Sequence, residues 1–200
     1  KQISIQLSKI DRNAKIGILF SKIINFLTNI KNIFFRNILE IFAGIDKKAY
    51  LPKYNNQTLV DYAKRNIHEI NSLAPAHGRK VVIYSTCFVN YNKKNTGIAA
   101  IKVLKKNGVE VQNSYPGCCG MPYLEQADLK QVVKQAKKVS KDLLFWISKG
   151  YDVITLTASC GLMLKFEWPL LLPNDENIKK LSKSTKDIDE YIVDISDKEG

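Results

Sequence analysis

The sequence predicts an α/β protein: a small, open, mostly parallel sheet with helices on both faces, preceded by an amphipathic helical segment. Three observations carry that reading. Short apolar, β-branched runs at 81–84, 109–111 and 153–157 suit buried parallel strands. Helical patterns at 98–107 and 127–149 alternate with them, and each is closed by a glycine, Gly108 or Gly150. Upstream, between residues 12 and 44, apolar side chains recur in steps of three and four, the period of one helix face.

Composition narrows the class. A chain of 200 residues with 45% hydrophobic content can bury a core, in one or two domains. It begins at Lys1 without a signal peptide, so the expectation is a fragment of a longer protein. The net charge of +12, from 31 Lys and Arg against 19 Asp and Glu, suits nucleic acid, anionic lipid or an acidic partner. Arginine occurs only at Arg12, Arg36, Arg65 and Arg79, with no Arg-rich patch and interleaved aromatics, which argues against nucleic acid.

In chain order, residues 1–10 carry little information. The stripe that follows is Ile16, Phe20, Ile23, Leu27, Ile30, Phe34, Ile38 and Ile41. Arg12, Lys15, Lys22, Lys31 and Arg36 flank it, with no acid from Arg12 to Leu39. No apolar run approaches the ~20 residues needed to span a bilayer. The pattern fits one or two basic amphipathic helices on an anionic membrane surface, or equally a helical pair burying its stripe against parts of the protein outside this sequence. Gly44 is the expected stop. A turn-rich link at 48–57 leads to a helix at 59–70, started by Thr58 with Asp61. Pro75 and Gly78 mark a linker. After the third strand a helix is expected to start near Gly161 and stop before Pro169. The tail is polar, with a short stripe at Ile188, Tyr191, Ile192 and Ile195, and reads as a helix leading out of the domain. The expected organisation is an amphipathic segment at 1–47, a helix and linker at 48–78, a cysteine-rich α/β domain at 79–173 and a helical extension at 174–200.

The chemistry lies in four cysteines: Cys87, Cys118, Cys119 and Cys160. Each follows a strand or a turn. The carboxyl ends of strands in a wound sheet converge on one edge, so thiols from three loops could meet there. Thiolates select iron–sulfur clusters, zinc or copper(I). Structural zinc usually takes C-x2-4-C pairs, which this chain lacks. Adjacent cysteines more readily reach two metal atoms of a cluster than one tetrahedral ion, and Gly117 and Gly120 permit close backbone approach. Four buried thiols acting as small hydrophobes, or a vicinal Cys118–Cys119 disulfide, are the alternatives. The only histidines, His68 and His77, lie in or near the linker, away from any cysteine nucleophile.

The set Cys87 … Cys118-Cys119-Gly120 … Cys160 resembles the CCG cysteine-rich domain family. That domain occurs in the B subunit of heterodisulfide reductase, in lactate and glycolate oxidation iron–sulfur subunits, and in the C subunit of anaerobic glycerol-3-phosphate dehydrogenase. The strings Leu51-Pro52-Lys53-Tyr54, Cys87-Phe88-Val89-Asn90-Tyr91-Asn92 and Glu167-Trp168-Pro169 resemble most those of the last, and the chain looks like its first CCG repeat. The full motif ends in Cys-x-x-Cys; here Met163 stands where the fifth thiolate would be. The resemblance implies a non-cubane [4Fe–4S] cluster on Cys87, Cys118, Cys119 and Cys160, incomplete here for want of that fifth thiolate, with zinc as the alternative. It implies a non-catalytic electron-transfer subunit of an oxidoreductase, at the cytoplasmic face of the cell membrane. Flavin-containing dehydrogenase subunits would oxidise glycerol 3-phosphate, and the electrons would pass to quinone. The alternative is a cluster-free or zinc-bound scaffold that docks the dehydrogenase subunits and the membrane.

Overall fold

The structure is a computed structural model that describes residues 9–66 and 68–199. Its centre is a four-stranded, entirely parallel sheet of order β2-β1-β3-β4. The strands are β1 (Lys80–Tyr84), β2 (Glu110–Ser114), β3 (Asp152–Thr155) and β4 (Thr185–Asp187). Alternation along β1 splits the core in two. Val82 and Tyr84 face one layer, and Val81 and Ile83 face the other.

Four of the described helices precede the sheet, and the first three are α1 (Ile10–Leu19), α2 (Ser21–Leu27) and α3 (Ile33–Ala43). The expected segment at 12–44 is thus helical but twice broken, at Phe20 and across 28–32. At the second break, Thr28 turns its hydroxyl back to the Ile24 carbonyl and the Asn29 side chain accepts the Lys31 N–H, both local bonds that compete with the helix ladder. Gly44 ends α3 at φ 64°, as expected of a left-handed cap. Arg36 does not belong to the basic face. It is buried and donates to the carbonyls of Asp46, Lys47 and Ala49, closing the turn after α3.

The string at 51–55 ties these helices to the sheet domain. The Asn25 amide clasps the backbone of Tyr54 at both ends, with Nδ2 donating to its carbonyl and Oδ1 accepting its N–H. The Tyr54 ring lies so close over Gly17 that a Cβ there would meet it at 2.5 Å. Asn55 then donates to the Tyr91 carbonyl, and Asn92 to that of Lys53.

Helix α4 (Leu59–Arg65) starts at Thr58, whose hydroxyl accepts the Asp61 N–H, as the sequence indicated, and ends sooner than expected. Short α5 (Cys87–Tyr91) follows β1, and α6 (Lys94–Lys106) leads to β2. After the cysteine pair come α7 (Met121–Leu124) and α8 (Leu129–Ser148), capped by Asp128. Val132, Ala136, Val139 and Leu143 of α8 pack on the Val82 and Tyr84 face of the sheet, with recurring steps of three and four.

Two expectations near the C-terminus are corrected. The helix after β3 does not stop before Pro169. It runs as α9 (Ala158–Leu162), a π-helical turn (Met163–Glu167) and α10 (Trp168–Leu171). Proline tolerates this because it sits at the second position of α10, and the Lys165 carbonyl it cannot serve accepts the Ser182 hydroxyl at 2.7 Å. The tail, in turn, folds back instead of leading out. Helix α11 (Glu176–Lys183) buries Ile178 and Leu181 against the α8 layer, β4 extends the sheet, and α12 (Ile188–Glu199) buries Tyr191 and Ile195 against the opposite layer.

Candidate metal centre

Each cysteine owes its place to the end of a strand. After Tyr84, Thr86 adopts φ 43°, and its hydroxyl caps α5 by accepting the Val89 N–H. That sharp turn puts Cys87 at the first position of α5. After Ser114 the chain runs through Tyr115 and Pro116 to Cys118 and Cys119, then turns at Gly120 with φ 93°, a conformation open mainly to glycine. After β3, Cys160 lies in α9. Because β1, β2 and β3 are parallel, all three loops leave from the carboxyl edge.

There the four thiols meet. Cys87 Sγ lies 3.9 Å from Cys118 Sγ, and Cys119 Sγ lies 3.3 Å from Cys160 Sγ. All four are reduced, and Cys118, Cys119 and Cys160 are buried. Thiol hydrogen bonds from Cys119 and Cys87 hold Cys118 below the ordinary thiol range, against the cost of burial and helped by the Gly120 N–H. Cys87 is pushed up, first by its bond to Cys118 and then by burial. Cys119 is pushed up by its bonds to Cys118 and Cys160, and then by burial. The hydrogen bonds that lower Cys118 are the same ones that raise Cys87 and Cys119, so these thiols titrate as one linked group.

Two side chains from the core hold the cysteine loop by its backbone. Tyr84, fully buried at the end of β1, donates to the Gly117 carbonyl at 2.7 Å. Trp168, fully buried just past the π turn, donates Nε1–H to the Cys119 carbonyl at 3.0 Å. Tyr115 packs between Tyr84, nearly parallel at 6.4 Å, and Tyr91, edge-on at 5.4 Å, and donates its hydroxyl to Asp11 of α1. Burial, and after it the Asp11 charge, pushes the Tyr115 phenol up. Of these, Trp168 lay in a string noticed only for its resemblance, and Asp11 carried no sequence signal at all. Met163, at the site of the missing thiolate, is fully buried in the same cluster as Cys118, Cys119 and Cys160.

The donor set is soft, closely spaced and shielded from water. Among the described residues, no three His, Cys, Asp or Glu side chains surround one point in a way that would hold a single metal ion. The sulfurs run in two close pairs, 87 with 118 and 119 with 160. Such an arrangement fits a group with several metal atoms, each taking different sulfurs, better than one tetrahedral ion.

Comparison with known proteins agrees with this chemistry. The family described as Cysteine-rich domain, CCG, matches residues 81–165, from β1 into the π turn. The chain is 30% identical over 171 residues to the C subunit of anaerobic glycerol-3-phosphate dehydrogenase of Escherichia coli (strain K12), covering 84% of this chain and 42% of that protein. It is 32% identical over 123 residues to lactate utilization protein A of Bacillus pumilus, covering 58% of this chain and 49% of that one. It is 30% identical over 102 residues to the B subunit of fumarate reductase (CoM/CoB) of Methanothermobacter marburgensis, covering 50% of this chain and 20% of that one. The chain thus spans less than half the length of these curated relatives. No solved structure matches. Residues 81–165 belong to the CCG cysteine-rich domain family.

Proposed function

We propose, from the membership of residues 81–165 in the CCG family, that the chain is an electron-relay segment of a membrane-associated dehydrogenase. The observation that carries the reading is the meeting of Cys87, Cys118, Cys119 and Cys160 at one sheet edge, in close sulfur pairs. A bound [4Fe–4S] cluster would supply one-electron chemistry. The chain's own residues would ligate it, exclude water from it and fix the cysteine loop through Tyr84 and Trp168. By likeness to the Escherichia coli relative, the electrons would come from glycerol 3-phosphate through partner subunits; that those subunits hold flavin and that quinone takes the electrons is what the family resemblance implies. The exposed apolar side chains of α1–α3 would rest on an anionic membrane surface at its cytoplasmic face.

Anaerobic reconstitution followed by iron and sulfide quantitation tests the relay. Bound iron and sulfide with visible absorption support it, and loss of both in Cys118→Ser and Cys160→Ser ties them to this site. One buried observation favours a second reading. Met163 fills the place of a thiolate with an inert thioether, which suits a scaffold that has given up its cluster or holds zinc. Zinc alone, or no metal after reconstitution, supports that reading instead.

A further inference from the structure

A carboxylate reaches the sulfur site from outside the cysteine-rich domain. Asp11 lies in α1, and α1 packs on α5, the helix that Cys87 begins. Asp11 Oδ2 accepts the backbone N–H of Cys118 at 3.1 Å, and Oδ1 accepts the Tyr115 hydroxyl. Oδ2 is also 3.6 Å from the point a Cβ on Gly117 would occupy, with Lys138 Nζ at 3.3 Å and the Gln135 amide oxygen at 3.4 Å from the same point. That amide oxygen is buried and makes no hydrogen bond.

The contact has two consequences. Beyond the end of β2 the Cys118 N–H has no strand to bond to, and a carboxylate gives it a charge-assisted partner, which fixes the backbone from which the sulfur projects. The same carboxylate puts negative charge beside thiolates. An added electron is repelled by that charge, and net charge and hydrogen bonding around a cluster set its potential.

We propose that Asp11 is a positioning residue for the sulfur centre: it fixes Cys118 from α1, and its charge holds down the reduction potential of a cluster bound there. The second half rests on the relay reading above; the first does not. The helices that carry the exposed apolar face thus reach the sulfur centre through Asp11 as well as through the packing of α1 on α5.

The test uses the full chain with Asp11→Asn and Asp11→Ala. In the metal-free protein, hydrogen exchange of a peptide covering 115–121 reports the Cys118 amide. Loss of the carboxylate in Asp11→Ala should speed that exchange roughly tenfold, the effect of removing a hydrogen bond to a charged group. Asp11→Asn keeps one acceptor oxygen and loses the charge, so it should protect the amide better than alanine does. In reconstituted protein, the cluster midpoint should rise in Asp11→Asn, a shift that a purely structural contact would not produce. Exchange unchanged in both variants overturns the positioning role, and an unmoved midpoint in Asp11→Asn overturns the electrostatic one. A wild-type chain that takes up no iron overturns the relay reading and the effect on potential with it, while the exchange result still decides the positioning.

Discussion

A tryptophan N–H and a tyrosine O–H grip the two carbonyls that bracket the cysteine pair, those of Cys119 and Gly117. Trp168→Phe keeps most of the packing and removes the donor, leaving a buried carbonyl unpaired. That should cost about 1–3 kcal/mol in urea unfolding, and retained wild-type stability would show that water or a shifted loop replaces the bond. Met163→Cys addresses the same loop from the sulfur side. Met163 lies fully buried in the core layer that also holds Cys118, Cys119 and Cys160, and the resemblance puts the missing thiolate at its position. The variant should retain more iron per chain than wild type after anaerobic reconstitution, and equal retention would mean that position 163 does not reach the metal. The four cysteines were legible because thiols are rare and each followed a strand or turn signal. Tyr84 and Trp168 were not legible as grips, because an aromatic in an apolar run looks the same whether or not its polar atom has work to do.

Three strands could be read from short apolar, β-branched runs and α8 from its periodicity, although β2 runs on to Ser114, beyond its apolar run at 109–111. Strand β4 could not. It is Thr185, Lys186 and Asp187, too short and polar to give a pattern, and it joins the sheet by backbone bonds to β3. What fixes this edge is a polar network. Lys165 Nζ pairs with Glu190 at 2.6 Å and lies 3.6 Å from Asp187. Glu190 also accepts the Asp187 N–H at 2.8 Å, and Asp187 accepts the Thr155 hydroxyl at 2.6 Å. The Lys165 bond, and after it the Asp187 N–H, draws the Glu190 carboxyl below its ordinary value of 4.5. Its stabilising effect is therefore full above that value and is lost as pH falls through the lower, folded one. The group is half exposed, so the effect should stay below about 1 kcal/mol. In urea titrations, Glu190→Gln should be less stable than wild type at neutral pH, and the difference should vanish on acidification below the lowered, folded value. A gap that persists in acid would mean that the substitution acts through packing and not through charge.

At the scale of the molecule, one face of the chain is finished and another is not. The apolar side chains of β1 and β3 are covered on both sides of the sheet, and α12 is locked to the start of β1 by Arg79, which pairs with Asp194 at 2.6 Å and Glu199 at 2.7 Å. On α1–α3 and the breaks between them, Leu19, Phe20, Ile23, Phe26, Ile33, Phe34, Ile41 and Phe42 remain exposed, Phe42 to 85%. Phe20, Ile23, Phe34 and Ile41 lie on the stripe the sequence displayed, whereas Leu19, Phe26, Ile33 and Phe42 do not, so the exposed apolar surface is wider than that stripe. The periodicity could not say what covers it, because the same pattern serves a membrane and a protein neighbour. None of the described helices is long and apolar enough to cross a membrane, so a lipid contact here would lie along the surface. The exposed Lys15, Lys22 and Lys31 would favour an anionic leaflet, each contributing about 1 kcal/mol close to the surface. Two forces would then act together, and they separate by experiment. Replacing Lys15, Lys22 and Lys31 with Gln should weaken binding to vesicles containing phosphatidylserine roughly a hundredfold. Added salt should weaken the wild type in the same direction, by screening. Phe34→Ser with Phe42→Ser should weaken binding to anionic vesicles regardless of salt. Wild-type protein that fails to float with anionic vesicles at low salt would assign the face to a protein neighbour instead.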